Sequence, residues 1–266
     1  MDGRSGAVRP LRLVAYYALD WAALCALALC SEALNRMPDT ARFYSAEDAT
    51  LKYPLRNDTV SAAADVALAA GVPAAAAVVA NAVLLARADG GKWPAALDAH
   101  HALLGLLQAL TLASLVTIFL KHFVGRLRPS ALARIAAGDS TFDKSFCSGH
   151  TSTAFAGLGF AAQYMAGKAG VFSTHGLTWA RGSADPFRGS VPLMLITFFL
   201  PICGAGWIAA TRLTDYAHHP SDVNAGAMVG SLAAWLAYHT QFAGLTERFS
   251  FMPRPLARLR EAEQEL

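Results

Sequence analysis

Residues 102–129 read ALLGLLQALTLASLVTIFLKHFVGRLRP. From Ala102 to Leu120 the stretch carries no charge, and its 19 residues approach the roughly 20 that cross a bilayer core as a helix. It then breaks into Lys121, Arg126 and Arg128 within eight residues. Cations at the end of an apolar helix sit where the bilayer meets water. Five further runs of this kind flank it, at about 13–34, 61–86, 150–167, 191–210 and 223–243. The expected fold is all-α: a six-transmembrane-helix bundle over residues 1–245, followed by a basic tail, 246–266.

Composition agrees. The chain has 266 residues, 55% hydrophobic and only 15% charged, with a mean hydropathy of +0.35. A soluble domain carries about a quarter charged residues. The net charge of +3 is too small to point to nucleic acid. Cys25, Cys30 and Cys203 lie inside apolar runs and read as packing residues, so the four cysteines make no disulfide framework. Asp20, Asp65 and Asn81 also fall inside runs, where polar groups face other helices. The fourth run is the shortest and has Gln163 near its end. The first follows Arg4, Arg9 and Arg12 as a signal peptide would. It is too long for one, and Glu32 stands where small residues would be cleaved, so it reads as a retained span.

Six spans place both termini on one side. The third span ends at Lys121, the fourth begins at His150 and the fifth ends near Arg212, so these three polar stretches meet at the opposite face. On the terminal side stand 12 Lys and Arg, against 10 on the other, of which Lys121, Arg128 and Arg212 have a separate use. That bias favours cytosolic termini and a cytosolic tail, with the polar face toward the lumen or exterior. Asn57-Asp58-Thr59 is a glycosylation sequon on that outer face, close to the second span. The tail carries Arg248, Arg254, Arg258 and Arg260 with Pro253 and Pro255, and reads as solvated and partly disordered near anionic headgroups.

The stretches are Lys121 to Pro129, Ser148-Gly149-His150, and Arg212-Leu-Thr-Asp-Tyr-Ala-His218-His-Pro-Ser-Asp222. Alone, Lys121, Arg128 and Arg212 would be interfacial anchors and Ser148 an N-cap. Together they supply cations and a helix N-terminus for an anion, two histidines, and a carboxylate. That set can bind a phosphate and break its ester through a histidine nucleophile.

The same stretches resemble the signature of the type 2 phosphatidic acid phosphatase superfamily: Lys, six residues, Arg-Pro; then Pro-Ser-Gly-His; then Ser-Arg, five residues, His, three residues, Asp. Cys147 stands at the proline of the second motif and Thr211 at the serine of the third. The Gly125-Arg-Leu-Arg-Pro129 form and the Tyr53-Pro54 segment ahead of the second span are similar to the eukaryotic lipid phosphate and diacylglycerol pyrophosphate phosphatases. The resemblance implies a haloperoxidase-like helical core, with Lys121, Arg128, Ser148, Gly149 and Arg212 binding phosphate. It makes His218 the nucleophile, Asp222 its orienting carboxylate and His150 the acid for the leaving alkoxide. Arg126 has no such counterpart and reads as interfacial, and His219 as a supporting neighbour.

The resemblance thus implies a metal-independent hydrolase with no cofactor. Its substrate is a lipid phosphate such as phosphatidate, lysophosphatidate, diacylglycerol pyrophosphate or a sphingoid phosphate, and a polyprenyl diphosphate is the runner-up. A metal at His150, His218 and Asp222 would be repelled by three convergent cations. Vanadium haloperoxidases share the motifs but not the spans. Catalytically silent membrane relatives lack motif residues that are all present here. The sequence leaves the membrane and the oligomeric state open, a homo-oligomer included.

Overall fold

The computed structural model describes residues 10–37, 42–86, 92–173 and 191–264. Arg4, Arg9 and Arg87 of the charge count, and most of the 168–190 loop, lie outside them. The described chain is helical: α1 (Pro10–Asn35), α2 (Ala62–Ala86), α3 (Lys92–Val124), α4 (Ala131–Ala136), α5 (Gly149–Ala169), α6 (Val191–Met194), α7 (Leu200–Thr214), α8 (Pro220–Gln241) and α9 (Arg254–Gln264). A π turn, Leu195–Phe199, joins α6 to α7. Pro201 explains it: the ring would clash with the carbonyl one turn back, and Leu200 N instead donates five residues back, to Leu195 O.

Four helices among the described residues are long and apolar enough to cross a membrane: Tyr17–Asn35, Ala62–Ala86, Ala95–Val124 and Val191–Thr214. That is the make-up of a multi-pass membrane protein. α5 and α8 have the length, at 21 and 22 residues, but fall outside this apolar set. The reason is position. α5 is the axis of the bundle, packed on α2, α3, α7 and α8. Fourteen of its residues are buried, including Ser152, Gln163 and Tyr164, so its composition answers to protein neighbours more than to lipid.

Small residues let these helices approach. A Cβ on Gly157 would lie 2.0 Å from Ala69 O of α2, and one on Gly230 would lie 2.4 Å from Ser152 O of α5. Gly226 meets Ser148 O in the same way, which fixes the start of α8 against the start of α5. The core around this axis joins Leu106, Ala109, Phe160, Tyr164, Ala234, Tyr238 and Phe242. The polar groups inside the apolar runs partly serve helix pairing: Asn81 Nδ2 donates to Asp98 Oδ2 at 3.1 Å, linking α2 to α3.

The tail departs from the solvated expectation. Phe249 and Ala257 are buried together with Ala243, and α9 carries Ala257 into that cluster. Lys168 of α5 donates to Phe251 O at 2.6 Å and pairs with the buried Asp98. The basic and apolar residues of α9 give it two faces, which composition alone does not separate from a disordered tail.

Candidate functional site

Three loops close the face of the bundle opposite the tail. They are residues 42–61 before α2, 125–148 between α3 and α5, and 215–219 between α7 and α8. Arg128 N donates to Phe142 O at 2.8 Å and Ser145 N to Arg126 O at 2.9 Å, folding the second loop on itself. Ser148 N donates to Asp222 O at 3.0 Å, tying it to α8. The third loop turns at Tyr216, whose φ of 53° lies in the left-handed region. Its ring stacks on Tyr53 at 4.8 Å and lies under the Arg56 guanidinium, and its carbonyl accepts from Ser130 Oγ at 3.1 Å. A non-glycine residue in this conformation costs about 1–2 kcal/mol and needs such surroundings to hold it.

All eight predicted site residues reach this face. His218 is 4% exposed. Its Nδ1 lies 2.8 Å from Ser145 O, so Nδ1–H donates there and Nε2 carries the lone pair, 3.5 Å from Arg128 Nη1. Burial, with the charges of Arg128 and Lys121, pushes the imidazole well below the usual 6.5, so it is neutral at pH 7. Arg128 is fastened to Thr141 O at 2.9 Å and Ala217 O at 3.1 Å. Burial and Arg134 lower it to about 10, which leaves it charged.

Lys121, in the last turn of α3, donates to Lys144 O at 2.7 Å, and its stem runs past Gly149. Ser148 is the N-cap of α5: its Oγ accepts from Thr151 N at 3.4 Å and Thr151 Oγ1 at 2.9 Å. The capping reading and the anion-site reading thus coincide at one helix N-terminus. His150 follows in the first turn, its Nε2 buried and without a hydrogen-bond partner among the described residues. The charges of Arg212, Arg128 and Lys121 all act on it. Arg212 is fully enclosed, donating to Thr211, Asp215 and Asp58.

Asp222 differs from expectation. Its Oδ2 stands 4.0 Å from His218 Nδ1, beyond hydrogen-bond range. The Ser145 carbonyl accepts the hydrogen bond from His218 Nδ1–H in its place. Asp222 instead accepts from Ser145 Oγ at 2.5 Å, His219 N at 2.9 Å and Arg126 Nη1 at 2.7 Å. It thus holds Ser145, and Ser145 holds His218. Arg126, expected as an interfacial residue, is the ion-pair partner of this buried carboxylate and also donates to Ser221 Oγ at 2.6 Å. His219 caps α8 and faces the same carboxylate at 3.2 Å. Neither Ser145 nor Asp58 belongs to any of the three motifs. The signal for Arg126 was its place in the Gly-Arg-Leu-Arg-Pro run; Ser145 left none.

Among the described residues, no three His, Cys, Asp or Glu side chains are grouped to hold a metal ion. Cys147, at the usual proline, is buried against Thr117 at 3.7 Å. Burial pushes its thiol up, so it stays protonated and inert.

The chain is similar to several known proteins. Lipid phosphate phosphatase 2 of Arabidopsis thaliana is 32% identical over 82% of this chain and 75% of its own length. A PA-phosphatase related-family protein of Dictyostelium discoideum is 34% identical over 59% of this chain and 55% of its own. A probable diacylglycerol pyrophosphate phosphatase 1 of Schizosaccharomyces pombe is 34% identical over 54% of each. The chain therefore spans about half the length of several curated relatives that it matches. No solved structure matches it significantly. Residues 102–244, which carry all three motifs and both central helices, match the PAP2 superfamily, and the chain belongs to that family.

Proposed function

We propose that this chain is an integral membrane lipid phosphate phosphatase. It hydrolyses phosphatidate and related lipid phosphates, among them lysophosphatidate, diacylglycerol pyrophosphate and sphingoid phosphates, through a phosphohistidine and without a metal. The observation that carries the reading is the imidazole of His218. It is buried and neutral, with Nδ1–H bound to Ser145 O and Nε2 turned toward Arg128. The names of the relatives, lipid phosphate phosphatase and diacylglycerol pyrophosphate phosphatase, support the substrate class.

In this mechanism Lys121, Arg128 and Arg212, with the amides at the start of α5, hold the phosphate oxygens and neutralise the charge that spreads over them. His218 Nε2 attacks phosphorus as the ester P–O bond breaks. His150 gives its proton to the leaving lipid alkoxide, and the diacylglycerol-type product departs. His150 then takes a proton from water, which attacks the phosphohistidine and releases phosphate and neutral His218. Asp222, through Ser145, fixes the tautomer and stabilises the imidazole as it becomes positive. α5 and α8 complete a six-span bundle with cytosolic termini, and the site opens to the lumen or exterior.

The test is phosphate release from phosphatidate in mixed micelles with excess EDTA, native protein against His218→Ala. Release by the native protein alone is expected. Equal release by both would remove His218 as nucleophile, and no release by either would remove phosphatidate as substrate.

A further inference from the structure

Arg212 directs its guanidinium nitrogens to protein oxygens. Nε and Nη2 reach Thr211 Oγ1 at 3.1 and 3.0 Å, Nη2 reaches Asp215 at 2.8 Å and Nη1 reaches Asp58 at 3.0 Å. Thr211 and Asp215 belong to the same helix end and turn, and are buried with it. Asp58 is of another kind. It comes from the loop before α2, and its side chain is 42% exposed against 1% for Arg212. Its charge also acts on His150 and Arg128. Asp58 therefore faces the cations of the phosphate site from its open side.

The loop that presents Asp58 is fastened on both flanks. Thr59 donates from N and Oγ1 to the Asp215 carboxylate at 2.8 and 2.6 Å. Arg56 donates to Thr214 O at 3.1 Å and covers the Tyr216 ring. Tyr53 N donates to Pro129 O at 3.2 Å. The carboxylate is thus placed, not merely nearby, and with Nε and Nη2 given to Thr211 and Asp215, an arriving phosphate oxygen would share Nη1 with Asp58.

We propose that Asp58 is an affinity-setting residue of the phosphate site: it competes with bound phosphate for Arg212, and so weakens the hold on any phosphate there, free or lipid-borne. This rests on the phosphatase reading above. Both anions want the same guanidinium and repel each other across it. The penalty falls on the phosphate group, so it lowers the affinity of inorganic phosphate and of a lipid phosphate by a similar factor, and lipid-chain contacts add to this without altering it. Product phosphate, which has no such contacts, leaves the faster for it.

The experiment uses the full chain in detergent micelles, measuring inhibition of phosphatidate hydrolysis by inorganic phosphate, and phosphate binding by calorimetry. Asp58→Asn keeps the shape and an acceptor for Arg212 but removes the charge. Phosphate is expected to bind and inhibit about tenfold more tightly, and KM for phosphatidate to fall in the same direction. Arg56→Ala loosens the loop at an exposed contact, and should strengthen phosphate binding in the same direction by about two- to threefold. Unchanged or weaker phosphate binding in Asp58→Asn, or a KM for phosphatidate that rises, overturns the proposal. Should Asp58→Asn fail to fold, an Arg56→Ala protein with native phosphate affinity overturns it alone. A native protein that binds phosphate but leaves phosphatidate intact overturns the phosphatase reading, and the Asp58→Asn binding ratio still decides the role of Asp58. A native protein that neither binds nor hydrolyses overturns both.

Discussion

Asp222 carries more donors than a helix-capping carboxylate needs: Arg126, Ser145 and the His219 backbone share its two oxygens. Hydrogen bonds to a charged group are worth about 1.5–3 kcal/mol each. Arg126→Leu strands a buried carboxylate, and should lower kcat about 10- to 100-fold in micelle assays, with Arg126→Lys recovering part of it. Ser145→Ala removes the link from Asp222 to the loop that holds His218, and should cost about tenfold in kcat while the protein still folds. The pH profile checks the imidazole itself. Burial and two cations oppose protonation of His218, so the acid limb of activity lies below 6.5. Removing the Lys121 charge makes protonation easier, so Lys121→Gln should move that limb to higher pH as well as lowering kcat. The residues that touch phosphate in this reading were legible in the sequence, because fixed spacings along a helix end reveal them. Ser145 and Asp58 were not. Their partners are set by how two loops fold over the bundle, and no periodicity encodes that.

At the scale of elements, glycine decides how closely α5 can lie against its neighbours. Gly157→Val drives a side chain into Ala69 O, and Gly230→Val into Ser152 O. Each should cost about 3 kcal/mol or more, seen as a lower melting temperature in detergent and loss of activity. Gly206 has nothing within 4 Å of its would-be Cβ, so Gly206→Ala should melt at or slightly above the native temperature. The helices expected at 13–34, 61–86, 150–167 and 223–243 are α1, α2, α5 and α8 to within three residues, while the 191–210 run is divided among α6, the π turn and α7, which continues to Thr214. α3 departs most. It starts at Lys92, ten residues before its apolar run, because hydropathy registers the bilayer and not the helix that continues beyond it.

For the whole molecule, the six-span reading puts the site outside and the tail inside. Phosphatidate added to sealed right-side-out vesicles should therefore be hydrolysed without detergent, and a C-terminal epitope should become accessible only after permeabilisation. Hydrolysis only after permeabilisation would reverse the orientation. The enclosure of α5 has a consequence for how the chain is made. A helix with His150, Gln163 and Lys168, walled in by α2, α3, α7 and α8, lacks the composition to partition into lipid unaided. Half of its wall is synthesised after it. A nascent chain stopped at residue 173 should leave the translocon with this segment unanchored, and one extended through residue 241 should retain it. Biogenesis of the central helix is then a passenger event, completed only when its later-born neighbours arrive.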